Sequence, residues 1–118
     1  MTDLDFNDYK PKRSTEELKR QNAIATYLFL HHIPYAVTDA AEAAKRGFRH
    51  RTGIKAGWPD ITVCLPPNGR FLGIEVKSAK GRQSIKQQEC QEEIEKAGGL
   101  YVLARSVDDV IAALEKRT

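Results

Sequence analysis

The chain has 118 residues and a mass of 13.3 kDa. That length suits one domain with a real core, needing no disulfide or structural metal to fold. Hydrophobic residues make up 41% and charged residues 30%, which excludes a disordered chain; no apolar run approaches the roughly 20 residues of a membrane span. The net charge of +3 conceals a strong asymmetry. Residues 45–86 carry ten basic side chains and two acidic ones, Asp60 and Glu75, while the flanking thirds are both net acidic. A polyanion is the natural partner of such an electropositive island. The start of the chain lacks an apolar signal region, and Cys64 and Cys90 form no CxxC. Both features suit a cytoplasmic protein, with the two cysteines as small core residues.

Residues 1–13 read as a flexible N-terminal arm and 14–118 as one domain. The spacing of Leu18, Ile24, Tyr27, Leu28 and Leu30 predicts a helix over 14–31, opened by a Ser14-x-x-Glu17 capping box. Residues 33–38 predict a short strand, which Pro34 places at a sheet edge. A brief helical turn over 39–44 and a basic, glycine-containing loop over 45–58 follow. Residues 60–65 and 70–77 alternate as two strands about the turn Pro66-Pro67-Asn68-Gly69. Residues 84–97 predict a helix with Ile85, Cys90, Ile94 and Ala97 inward, stopped by Gly98-Gly99. Residues 100–104 are a continuous apolar run of the kind found inside sheets. Ser106-x-x-Asp109 opens a last helix to about Lys116. The fold class is therefore α/β, a mixed sheet flanked by helices.

The hairpin brings the two lone acids together. Pairing about the Pro67–Asn68 bond sets Ile61 against Ile74 and Val63 against Leu72, so the apolar faces coincide, and Asp60 falls opposite Glu75. Facing Cβ atoms then lie about 4.5–5.5 Å apart. A two-residue Asn68-Gly69 turn would instead set Asp60 opposite Lys77 and diagonal to Glu75. Either register leaves Asp60, Glu75 and Lys77 on one side. Like charges in facing positions repel, unless a cation or a shared proton lies between them. Hard carboxylate oxygens suit Mg²⁺ or Mn²⁺, and the Val76 carbonyl at the strand end is a further candidate ligand. The alternative is a surface ion pair. Three features weigh against it: the turn Gly57-Trp58-Pro59, where backbone approaches a ligand closely; the space left by Gly73; and the isolation of these acids among ten basic residues.

Pro59-Asp60 followed by Glu75-Val76-Lys77 resembles the PD-(D/E)XK nuclease pattern. The longer string, Gly57-Trp58-Pro59-Asp60, Gly73-Ile74-Glu75-Val76-Lys77-Ser78, Gly81-Arg82, Ser84-x-x-Gln87 and Gly98-Gly99-Leu100-Tyr101, resembles the virus-type replication-repair nuclease domain, VRR-NUC, in its stand-alone version. The resemblance implies a restriction-endonuclease-like core of αβββαβα type. It implies metal-dependent phosphodiester hydrolysis, with Asp60, Glu75 and the Val76 carbonyl holding Mg²⁺ or Mn²⁺ and Lys77 orienting the attacking water. Gln87 would reach the site from the following helix, and Glu17 would be an additional acid, with Glu16 as its rival and a helix cap as its alternative. Gln21, which matches the family's first helix, reads as a helper or solvent residue. Stand-alone VRR-NUC domains resemble homodimeric Holliday-junction resolvases, so branched DNA and a second copy of the chain are the implied partners.

Basic side chains at Arg49, Arg51, Lys55, Lys80, Arg82 and Lys86 are the candidate phosphate contacts, indifferent to base sequence and sensitive to salt. Trp58 reads as a core anchor with base stacking as its rival, and His31, His32 and His50 lack metal-ligand spacing. Competing functions are a restriction-type nuclease of ordinary duplex, an inactive DNA-binding module of the same fold, and a scaffold domain.

Overall fold

The structure is a computed structural model that describes residues 15–39 and 53–116. The N-terminal arm, the Ser14 cap, all but Asp39 of the turn expected at 39–44 and the basic residues Arg49 and Arg51 lie outside the described residues. In chain order the elements are α1 (Thr15–Leu30), β1 (Tyr35–Val37), β2 (Ile61–Leu65), β3 (Arg70–Val76), α2 (Ile85–Lys96), β4 (Leu100–Ala104) and α3 (Val107–Glu115). This is the expected αβββαβα order. The strands form one sheet in the order β1-β2-β3-β4. β1 and β3 run antiparallel to β2, and β4 runs parallel to β3 through the α2 crossover.

The β2–β3 hairpin adopts the first of the two registers, with Ile61 opposite Ile74, Val63 opposite Leu72 and Leu65 opposite Arg70. The two registers differ by two residues and bury the same apolar set; the turn distinguishes them, residues 66–69 forming a four-residue connection in which the Gly69 N–H donates to the Leu65 carbonyl at 2.7 Å. Ile61, Val63, Leu65, Leu72, Ile74 and Val76 point to one face and are buried there with Ile24 and Leu28 of α1 and Val110 and Leu114 of α3. Each such side chain contributes about 1.5–3 kcal/mol, and a one-residue slip would turn the whole set outward. α2 covers the opposite face, so β3 is buried on both sides from Leu72 to Val76.

Several expectations change. β4 ends the sheet rather than lying inside it; its apolar run reflects coverage of both faces by α2 and α3, which both pack on it. Ile85 is 73% exposed, because the first residue of α2 points about 200° round the helix from Gln87, which is buried. Ala97 is exposed as the C-cap of α2. Cys90 is buried but Cys64 is exposed, since it has the opposite parity to Ile61, Val63 and Leu65. Helix ends follow their caps. The Ser84 hydroxyl accepts from the Gln87 N–H, and the Ser106 hydroxyl accepts from the Asp109 N–H.

Candidate active site

Asp60 stands just before β2, and Glu75 is the sixth residue of β3. Both are fully buried. The β2–β3 register, continued one residue past Ile61–Ile74, brings them side by side on the face under α2. Their neighbours hold them there. The Val76 N–H donates to Asp60 Oδ2 at 2.8 Å. Gln87 Nε2 donates to Glu75 Oε2 at 2.9 Å, and Lys77 Nζ lies 3.9 Å from the same oxygen. The Lys77 side chain is 14% exposed, so its ammonium sits at the mouth of a cleft whose acids lie deeper.

The segment before Asp60 is fixed from two sides. Pro59 lies over Gly73, where an added Cβ would come within 2.6 Å of the proline ring. The space expected at Gly73 is therefore filled by Pro59, and it seats the turn rather than a ligand. Gly57, at φ +87°, lets its backbone approach α2, and a Cβ there would meet the Lys86 carbonyl oxygen at 2.4 Å. The close approach is thus to α2 rather than to a ligand. From the edge of the sheet, the Thr38 N–H donates to the Asp60 carbonyl at 2.7 Å, and the Thr38 hydroxyl donates to the Pro59 carbonyl at 2.8 Å. Trp58 packs edge-on against Phe71 and donates from Nε1 to the Thr62 hydroxyl, as an anchor.

Gln87 has two jobs. Its Oε1 accepts from the Ser84 N–H at 2.8 Å, closing a capping box, while its Nε2 binds Glu75. The far end of β3 is held by α1. Glu17 Oε2 accepts from the Ser78 N–H at 3.0 Å, and Arg20 Nη1 donates to the Lys77 carbonyl at 3.2 Å while pairing with Glu16. The Glu17 carboxylate thus secures the backbone just past Lys77. Among the described residues no three His, Cys, Asp or Glu side chains converge as a metal cluster. Gln21, one turn on, is buried rather than solvent-exposed, and its Oε1 accepts no hydrogen bond among the described residues.

Two contacts near the site were not read from the sequence, although Tyr101 stands in the string that carries the family resemblance. Tyr101 lies opposite Gly73 on the site face, and its hydroxyl accepts from Gln83 Nε2 at 3.0 Å. Burial first, and then the nearby charge of Glu75, push its pKa well above the usual phenol range. Arg105 donates from Nη1 to the carbonyls of Ser78, Ala79 and Gly81, bracing the loop after Lys77. No local pattern announces either contact.

The basic residues divide. Lys80 and Arg82 are exposed on that loop and make no ion pair among the described residues. Lys55 is paired with Glu93, and Lys86 lies 3.9 Å from Glu89. These two line a groove of about 840 Å³ over α2 that also carries Glu89, Glu92, Glu93 and Glu95. None of Asp60, Glu75 and Lys77 lines it, and its four glutamates offset its three lysines, Lys55, Lys86 and Lys96, so it offers a polyanion no net positive charge.

Asp60 and Glu75 are buried carboxylates whose hard oxygens fit a divalent cation, and Val76, whose carbonyl is the further candidate ligand, follows Glu75 directly on β3. The VRR-NUC domain model matches residues 15–108. The chain belongs to the VRR-NUC family. It is therefore a nuclease-superfamily domain, and divalent-metal dependence is the general property of that family. A solved structure described as a VRR_NUC domain protein is similar to this VRR-NUC domain with a TM-score of 0.60 and 25% identity, covering 88% of each chain. Among curated proteins nothing matches.

Proposed function

We propose that this VRR-NUC domain is a Mg²⁺- or Mn²⁺-dependent endodeoxyribonuclease that cuts branched DNA, such as four-way junctions, as a homodimer. The observation that carries the reading is the pair of fully buried acids, Asp60 and Glu75, at a strand end that opens onto Lys77, Lys80 and Arg82. A binding module or scaffold gains nothing from two desolvated carboxylates beside a basic loop, since each costs stability when left without a cation.

The geometry supports the following division of labour. Asp60, Glu75 and the Val76 carbonyl would hold the cation. When bound, the cation acidifies a water and offsets charge on the phosphate oxygens. Lys77, beside Glu75 Oε2, orients the attacking water and favours its hydroxide form. Gln87 fixes the Glu75 carboxylate so that it does not swing towards Lys77 alone. Glu17 and Arg20 set the height of the Lys77–Ser78 backbone. Lys80 and Arg82 take flanking phosphates, contacts that carry no sequence information.

Branched substrate and dimer rest on the resemblance to stand-alone VRR-NUC domains. They also fit a mechanical argument, since two active sites can nick two strands of one junction. The test is a substrate panel with Mg²⁺ or Mn²⁺: four-way junction, flap, single strand and linear duplex. Preferred nicking of the junction, lost in Asp60→Ala, Glu75→Ala and Lys77→Ala while binding persists, is the expected result. Equal cutting of linear duplex would favour a general duplex nuclease, and an inert wild type would overturn the proposal.

A further inference from the structure

Arg105 leaves β4 at its C-terminal end, beside the point where β3 delivers Lys77. The Lys77 N–H donates to the Ala104 carbonyl at 3.0 Å, which continues the Val76–Ala104 ladder by one bond and sets residues 77 and 105 side by side. Strand alternation places both with Glu75 and Leu103 on the site face. The guanidinium is held by one nitrogen only. Nη1 shares its two hydrogens among the carbonyls of Ser78, Ala79 and Gly81. Among the described residues, Nη2 and the Nε–H make no hydrogen bond, and no carboxylate lies within ion-pairing distance of the side chain.

Among the described residues this cation is positioned by neutral carbonyls, has no counter-charge and keeps donors to spare, an arrangement for an anion arriving from outside. Its placement says which anion. Lys77 is its neighbour across the ladder, and Lys80 and Arg82 sit on the loop that it braces. We propose that Arg105 binds a backbone phosphate of the strand to be cut, next to the scissile position, and braces the 78–81 loop for the same contact. The proposal rests on the nuclease reading above and adds to it a residue at which the strand is held.

The test is binding of a fluorescein-labelled four-way junction in EDTA, followed by anisotropy over a range of KCl concentrations. Loss of one phosphate contact lowers the slope of log K against log salt by about 0.9. Arg105→Gln is expected to show that drop, and Arg105→Lys, which keeps the charge, to retain the wild-type slope. A purely structural Arg105 would weaken binding without changing the slope, and that result overturns the proposal. Because Arg105→Gln also releases the loop, a second reading uses wild-type protein. The ¹⁵N resonance of the Arg105 Nε–H should shift when the junction is added in EDTA, and a static resonance in a protein that binds the junction overturns the proposal equally. A wild type that binds no DNA fails at an earlier point, and refutes the nuclease reading itself.

Discussion

Replacing Gln87 with Met separates the helix cap from the support of the acid. Gln87 is buried, and its amide makes two bonds, one to the Ser84 N–H and one to Glu75 Oε2. Methionine keeps the length and bulk of the side chain and removes both. The neutral bond to Ser84 contributes about 0.5–1.5 kcal/mol and the bond to the Glu75 carboxylate about 1.5–3 kcal/mol. The expected loss is therefore about 2–4.5 kcal/mol. Ser84→Ala supplies the reference: it removes only the hydroxyl that accepts from the Gln87 N–H, and should cost about 1 kcal/mol. Urea unfolding in EDTA, so that no cation intervenes, measures both. Gln87→Met should exceed Ser84→Ala by at least about 1 kcal/mol, several degrees in Tm for a domain of this size. Equal losses would mean that Gln87 supports α2 and contributes nothing to holding Glu75.

Three further outcomes follow from the same geometry. Gly57→Ala places a Cβ at φ +87° and 2.4 Å from the Lys86 carbonyl oxygen, so thermal unfolding should show a loss of at least about 2 kcal/mol; a neutral effect would refute the close packing of that turn on α2. Tyr101 has its folded pKa raised by burial and by Glu75, so the folded state keeps a proton that the unfolded chain releases above about pH 10. Stability should fall as pH rises through that value, and Tyr101→Phe should flatten this alkaline decline, measured by urea unfolding from pH 9 to 11. Of the two cysteines, exposed Cys64 should react promptly with a thiol reagent. Cys90 should react only on unfolding, its thiol being buried and its pKa pushed up chiefly by desolvation.

The shared face of Asp60 and Glu75 was legible in the sequence because strand alternation governs it, whereas two registers of the same parity remained and only the turn separates them. Strand alternation that buries Ile61, Val63, Leu72 and Ile74 must send Asp60 and Glu75 to the other face. The same parity would have placed Cys64 away from the core. Gln87 was legible as a helix-face position, though not as a residue with one end on the cap and the other on the acid. Thr38, Arg20 and Arg105 were not legible. Their contacts join residues 21 or more positions apart, and donors to backbone carbonyls leave no pattern in side-chain type. Gly57 was read as a point of close approach and Gly73 as a space, but the atoms that meet them belong to Lys86 and Pro59 rather than to a ligand. Lys55 and Lys86 show why a count of basic residues is a blunt guide, since both stand beside glutamates of α2.

The account stands on Asp60 and Glu75 holding a divalent cation for phosphodiester hydrolysis. Its most direct test is cleavage of a labelled four-way junction by wild-type protein and by Glu75→Gln, each with EDTA, Mg²⁺ or Mn²⁺. The expected result is strand scission by wild type only when a divalent cation is present, and none by Glu75→Gln at junction concentrations where both proteins bind equally. Scission in EDTA, or undiminished scission by Glu75→Gln, would contradict it.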